Sequence, residues 1–261
     1  MVRTLLIRGM LVGLVAGFLM FAFGKVFGEP QVDRAIMFEA AADAASAKAD
    51  MAKGMPMQAG EPELISRDVQ AGIGLLTGVV VYSTAFGGLF ALVFAYAYGR
   101  VGELSPRTVS ALLAVGGWVA VYIVPTLKYP ASPPSVGEAA TIGLRTAFYF
   151  LMMLTSIVAM SAAIVARNRL VARFGGWDAS LISAACYLIV VVVLGGFVLP
   201  AIDEIPEGFP AALLWRFRMA SFGMQAVMWA TIGLLFGWLT ERAMLASRGS
   251  RPRGHLQDSL R

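Results

Sequence analysis

The stretch that decides the fold is the run DASLISAACYLIVVVVLGGFVL, from Asp178 to Leu199. It contains no charged side chain after its first residue. About 20 apolar residues suffice for an α-helix to cross the roughly 30 Å of hydrocarbon in a bilayer. We therefore predict a membrane-spanning helix over residues 178–199.

Similar apolar runs recur along the whole chain of 261 residues, which is 58% hydrophobic and 14% charged, with a mean hydropathy of +0.74. A soluble domain of this size could not bury so much apolar surface. We predict an all-α transmembrane bundle of about six spans, at residues 5–27, 69–98, 107–125, 143–166, 178–199 and 214–240. Residues 1–245 are predicted to form a single membrane domain, and the arginine-rich tail 246–261 a disordered cytoplasmic segment.

The distribution of basic residues sets the predicted orientation. Arginines gather on one side of the six-span scheme, for example Arg100 and Arg107 before the third span and Arg167 and Arg169 after the fourth. Because positive charge accumulates in cytoplasmic loops, both termini are predicted to be cytoplasmic, and most carboxylates fall on the outer side. The arginines are spread over several loops and the tail, which argues against a nucleic-acid-binding face.

The reactive side chains are few. A single cysteine, Cys186, excludes a disulfide framework within the chain, and a single histidine, His255, excludes a metal site built mainly from imidazole. The sequence contains no G-x-x-x-x-G-K-[ST], G-x-S-x-G or H-E-x-x-H motif. We therefore expect neither an enzyme nor a permanently bound cofactor, and keep as an alternative a membrane enzyme that uses outer carboxylates on a lipid-linked substrate.

The segment LPAIDEIPEGFPAALLWRFR, from Leu199 to Arg218, concentrates charge between two apolar runs. Three prolines deny it a regular helix. Its acids either collect cations at the mouth of a path or are neutralised by nearby arginines. The arginines predicted to form structural ion pairs at this depth are Arg145, Arg216 and Arg218.

A long outer loop, 28–68, follows the first span. Gly28 is predicted to close that span and Pro30 to start a surface helix over residues 32–53. Its carboxylates are either solvated or available to a cation. Together with the acids of the previous segment, the candidate metal ligands are the outer carboxylates Asp203, Glu204, Glu207, Glu29, Asp33 and Glu39.

Small residues repeat at helical spacing in several spans. Gly9, Gly13 and Gly17 lie on one face of the first span, and Gly74 with Gly78 and Gly233 with Gly237 repeat the interval. This spacing is typical of close helix packing, with a gating role as the alternative.

Three proline-marked stretches on the predicted outer side resemble the CbtA family of cobalt transporter subunits. They are GEPQVDRA from Gly28 to Ala35, LKYPASPP from Leu127 to Pro134, and EIPEGFP from Glu204 to Pro210, which leads to LWRFR at Leu214 to Arg218. The resemblance covers nearly the whole chain. It implies a multi-pass protein of the bacterial inner membrane that brings in cobalt for cobalamin synthesis with a small, single-span, histidine-bearing partner of the CbtB type.

The leading hypothesis is therefore a membrane subunit of a divalent-cation uptake system, with cobalt as the transported ion. A scaffold that holds a partner without transporting anything is the main alternative.

Overall fold

The computed structural model describes residues 2–53, 65–202 and 204–249. Asp203 and residues 250–261 of the predicted tail lie outside the described part of the chain. Within these described ranges, five helices are long and apolar enough to cross a membrane. They are α1 (Val2–Ala52), α2 (Arg67–Ala97), α3 (Pro106–Lys128), α4 (Ile142–Val198) and α5 (Ala211–Gly249). No strand occurs in the described ranges, so the all-α fold class is confirmed.

Helix α4 accounts for the difference between five helices and about six predicted spans. Its backbone breaks at Gly175, where φ is 79° and ψ is 169°. Ser156 and Tyr187 are 31 residues apart, yet their hydroxyl oxygens lie 2.8 Å from each other. In a continuous α-helix that separation would be about 46 Å. Helix α4 therefore folds back at Gly175, and its two halves correspond to the predicted spans 143–166 and 178–199.

The expected break at Gly28 is wrong. Gly28 has right-handed helical dihedrals (φ −87°, ψ −57°), and α1 continues through it as a π-helical turn at Gly24–Gly28. A proline ring inside a helix clashes with the carbonyl four residues earlier, and a π turn moves that carbonyl away. Pro30 follows this turn directly. Helix α3 repeats the arrangement, because its π-helical segment Trp118–Ile123 precedes Pro125.

The chain divides into two compact units. The first comprises Met1–Leu19, Leu76–Val115 and the chain from Val227 onward. In it α1 packs against α2 through glycine. A Cβ added at Gly13 would lie 2.3 Å from the carbonyl oxygen of Ser83, and one at Gly9 would lie 2.3 Å from that of Gly87. Gly78, in contrast, faces open space.

In the first unit, helix α5 also packs through glycine, in this case against α3. A Cβ at Gly233 would lie 2.4 Å from the Cβ of Ala114, and one at Gly237 would lie 2.9 Å from that of Ser110. The buried Ser110 hydroxyl donates to the carbonyl of Gly233 at 2.6 Å. Close packing is therefore confirmed for the predicted glycines Gly9, Gly13, Gly17, Gly233 and Gly237, and the prediction is wrong for Gly78.

The second unit comprises Met20–Leu75 and Gly116–Ala226. One of its cores brings together the regions of the three proline-marked stretches. Ala35 comes from the first, Val136 follows the second by two residues, and Phe209 and Leu214 belong to the third; all four are buried in one cluster. These separate stretches are thus joined in space, which positions the polar groups around them.

Candidate functional site

Glu204 ties together the two connections that flank α4, residues 129–141 and 199–210. Its Oε2 atom accepts hydrogen bonds from the backbone N–H of Glu138 at 2.8 Å and from the hydroxyl of Thr141 at 2.9 Å. Its own carbonyl accepts from the backbone N–H of Gly137 at 3.2 Å. The hydrogen bonds from Thr141 and Glu138, followed by the charge of Arg145, hold the pKa of the Glu204 carboxyl below its usual range.

Arg145 lies beside this carboxylate, one turn into α4. Its Nε atom is 3.5 Å from Oε2 of Glu204, an ion pair without hydrogen-bond alignment. A Cβ at Gly137 would lie 2.2 Å from Nη1 of Arg145, and Gly137 has φ of +106°. Both the space and the backbone angle therefore require glycine there. The turn at Gly137 brings the guanidinium against the main chain.

Two further candidate carboxylates share one arginine. Glu29 and Asp33 are one helical turn apart on α1, and Arg67, at the start of α2, pairs with both. Nη2 of Arg67 lies 2.9 Å from Oδ1 of Asp33, and its Nε donates to the same oxygen at 3.0 Å. Because α1 runs unbroken through this region, these acids owe their stabilisation to Arg67 and not to a helix N-terminus.

The remaining candidates are exposed or outside the described chain. Glu39 and Glu207 are exposed and form no ion pair with a described residue, while Asp203 is not among the described residues. Arg216 is exposed and likewise has no ion pair within the described ranges. Arg218 donates from Nε to the carbonyl of Ala131 at 3.4 Å. The structure thus separates the five described candidate carboxylates into a Glu29–Asp33 pair, Glu204, and the exposed Glu39 and Glu207.

A cavity of about 400 Å³ lies between the two connections and the adjoining helix ends. Its polar lining includes Arg145, Arg218 and Glu204. Three tyrosines, Tyr122, Tyr129 and Tyr149, complete the wall. The hydroxyl of Tyr122 donates to Ser221 at 3.4 Å, and that of Tyr129 donates to the carbonyl of Pro200 at 2.9 Å.

Sequence reasoning missed the tyrosines and Arg67. Tyr122 and Tyr149 stand within apolar helices, where tyrosine is an ordinary packing residue, and Tyr129 stands in a proline-rich loop. Arg67 follows an interval of more than thirty residues after Asp33. The one available signal was its position immediately before a span, on the side to which the acids were assigned.

No group of three or more His, Cys, Asp or Glu side chains that could hold a metal occurs within residues 2–53, 65–202 and 204–249. Among the described lining residues of the cavity, two guanidinium groups face one carboxylate. That lining has an excess of positive charge, which opposes binding of a bare divalent cation.

A family model described as "Probable cobalt transporter subunit (CbtA)" matches residues 2–241, nearly the entire chain. The chain belongs to the CbtA family. Its long apolar helices make it a membrane protein, and the description of its family is that of a transporter subunit, which is not an enzyme class. The predicted family is confirmed. No curated protein and no solved structure matches the chain significantly.

Proposed function

We propose that the chain is the helical subunit of a divalent-cation uptake system, with cobalt as its cargo. The observation that carries this proposal is the match of the cobalt transporter family over residues 2–241. The long apolar helices support a role within the bilayer. On this proposal the protein lies in the bacterial inner membrane with both termini in the cytoplasm, and it catalyses no chemical reaction.

The outer carboxylates fall into two groups: some attract the cation, and the others form ion pairs that stabilise the fold. Glu39 and Glu207 are exposed and lack a described ion-pair partner, so their charge is free to attract a cation to the outer surface. Glu29, Asp33 and Glu204 are paired with Arg67 and Arg145, so a cation at these carboxylates competes with an arginine for their charge. Asp203, next to Glu204, extends the set of outer acids.

An inside-negative membrane potential is sufficient to drive entry. Moving two positive charges across 100 mV releases about 4.6 kcal/mol. Such a path requires no nucleotide hydrolysis, and the sequence contains no phosphate-binding loop motif.

Selectivity for cobalt requires ligands beyond carboxylate oxygen, since oxygen ligands discriminate poorly among divalent transition metals. The chain has one histidine and one cysteine. We therefore assign the nitrogen ligands to a small, single-span, histidine-bearing partner of the CbtB type. A subunit that is incomplete without a partner fits the description of its family.

A scaffold that transports nothing is the alternative that the arginine-paired carboxylates favour. Uptake of radiolabelled cobalt into vesicles, with and without the partner, separates the two. A transporting subunit loses uptake when Glu39→Gln and Glu207→Gln are combined, whereas a scaffold keeps it. Glu103→Gln is the matched control, because Glu103 is also exposed but is assigned to the inner side.

A further inference from the structure

The cavity between the two connections holds more hydrogen-bond donors than its described walls satisfy. An arginine side chain carries five N–H donors and no acceptor. Nη2 of Arg145 donates one long bond of 3.5 Å to the carbonyl of Glu138, and its buried Nε has no hydrogen-bond partner. Arg218 makes one bond of 3.4 Å, to Ala131. The buried Nε of Arg145 faces Glu204 and is closed to a ligand. Within the described residues, Nη1 of Arg145 and both Nη atoms of Arg218 form no hydrogen bond, so they remain available to an oxyanion.

The net charge of the cavity lining also favours binding of an anion. Glu204 is the one carboxylate among the described lining residues, and its Oε2 atom is already engaged by Glu138 and Thr141. It compensates one of two guanidinium charges. Because an uncompensated charge in a partly buried site is costly, an anion bound there is stabilised and a cation is repelled.

Depth and shape indicate which anion fits. Arg145 lies one turn into α4 and Arg218 two turns into α5, at helix ends, where a membrane meets water. Tyr122 and Tyr149 extend the wall along the apolar helices. Tyrosine and arginine at helix ends sit at the level of lipid headgroups, and a guanidinium group binds phosphate oxygens through charge-assisted hydrogen bonds.

We propose that this cavity binds the phosphate of an anionic phospholipid, with Arg145 and Arg218 as its donors. The tyrosine-lined wall accommodates the glycerol portion, and a volume of about 400 Å³ suits a headgroup. The bound lipid neutralises the cavity and holds the two connections to α4. This inference does not depend on the transported ion.

Native mass spectrometry of the full-length chain in detergent tests the proposal, with phosphatidylglycerol and phosphatidylcholine as probes. Both lipids carry a phosphate, but phosphatidylcholine compensates it with its own cation. We expect preferential retention of phosphatidylglycerol and a roughly tenfold weaker affinity in Arg218→Gln, since a charge-assisted hydrogen bond is removed. Arg216→Gln removes the same charge from an exposed position outside the lining and is expected to leave the affinity unchanged.

Equal retention of the two lipids, or equal losses in the Arg218 and Arg216 variants, would overturn the proposal. Displacement of phosphatidylglycerol by millimolar inorganic phosphate would overturn the lipid assignment in favour of a soluble phosphate. If Arg218→Gln fails to fold, Arg218→Lys serves instead: it keeps the charge but loses the planar fork, and weaker phosphatidylglycerol binding is again expected. The assay contains no cobalt, so a negative result would overturn the lipid-binding proposal without bearing on the proposal of cobalt transport.

Discussion

Glu204 and Glu138 are 66 residues apart in the chain, yet the Oε2 atom of Glu204 accepts a 2.8 Å hydrogen bond from the backbone N–H of Glu138. The same carboxylate oxygen accepts from Thr141 and lies beside Arg145. One side chain thus joins the connection before α4 to the connection after it. This relationship defines a structural role for Glu204.

Replacement of Glu204 is expected to lower the thermal unfolding midpoint in detergent. Glu204→Ala removes the acceptor for Glu138 and Thr141 and leaves Arg145 uncompensated, whereas Glu204→Gln keeps an acceptor oxygen and loses only the charge. We expect the alanine variant to be the less stable of the two. Equal midpoints for both variants and the parent chain would contradict this role.

The pH dependence of stability follows from the same contacts. The hydrogen bonds from Thr141 and Glu138 hold the pKa of the Glu204 carboxyl below its usual range in the folded chain. A depressed carboxyl pKa contributes stability that is complete above the unfolded pKa and is lost as the pH falls through the folded value. As the pH falls and the Glu204 carboxyl becomes protonated, the unfolding midpoint of the parent chain is therefore expected to fall more steeply than that of Glu204→Gln. Parallel pH profiles of the unfolding midpoint for the parent chain and Glu204→Gln would contradict this contribution of Glu204 to stability.

Glycine packing in the first compact unit predicts a large effect of one added methyl group. Gly13→Ala places a Cβ 2.3 Å from the carbonyl oxygen of Ser83, so the helices must separate, at a cost of about 1–3 kcal/mol. Gly78→Ala is the matched control, because nothing lies within 4 Å of its Cβ. Denaturant unfolding of both variants checks the difference. A Gly13 variant as stable as the Gly78 variant would refute the packing.

The turn at Gly137 predicts a similar contrast in the second unit. Gly137→Ala combines a strained φ of +106° with a collision against Arg145, and a loss of about 1–3 kcal/mol is expected. Gly143→Ala, in open space on α4, is expected to cost nothing. Unfolding midpoints of the two variants provide the measurement, and a neutral Gly137→Ala would show that the turn does not need glycine.

The fold-back of α4 predicts which loops share a side of the membrane. In a Cys186→Ser background, cysteines at Ser132 and Glu207 are expected to react with an impermeant maleimide from outside the cell. A cysteine at Asn168 is expected to react only after permeabilisation. Labelling of Ser132→Cys and Glu207→Cys from opposite sides would show that α4 crosses the membrane once.

Local composition was sufficient to predict the helices, because a long apolar run determines a membrane span without reference to the rest of the chain. The prediction that the first helix ends at Gly28 was wrong, because a π-helical turn accommodates Pro30 without ending the helix. Gly78 has the spacing of a packing residue, but spacing does not tell which face of a helix meets a neighbour.

The polar contacts could be predicted only in outline. Charge placement indicated that arginines and acids lie at similar depths. The ion pairs of Arg67 with Glu29 and Asp33, however, form because the start of α2 lies beside α1 in the folded chain. The hydrogen bond from Thr141 to Glu204 forms because two connections more than sixty residues apart in the sequence lie side by side in the fold. Such pairings are properties of the tertiary structure, as is the tyrosine wall of the cavity.

The most direct test of the central claim is radiolabelled cobalt uptake into energised, right-side-out vesicles that contain this chain together with the proposed small histidine-bearing partner. We expect uptake that follows an inside-negative potential and falls severalfold in the combined Glu39→Gln and Glu207→Gln variant, but not in Glu103→Gln. Uptake equal to that of vesicles lacking the chain would contradict the account.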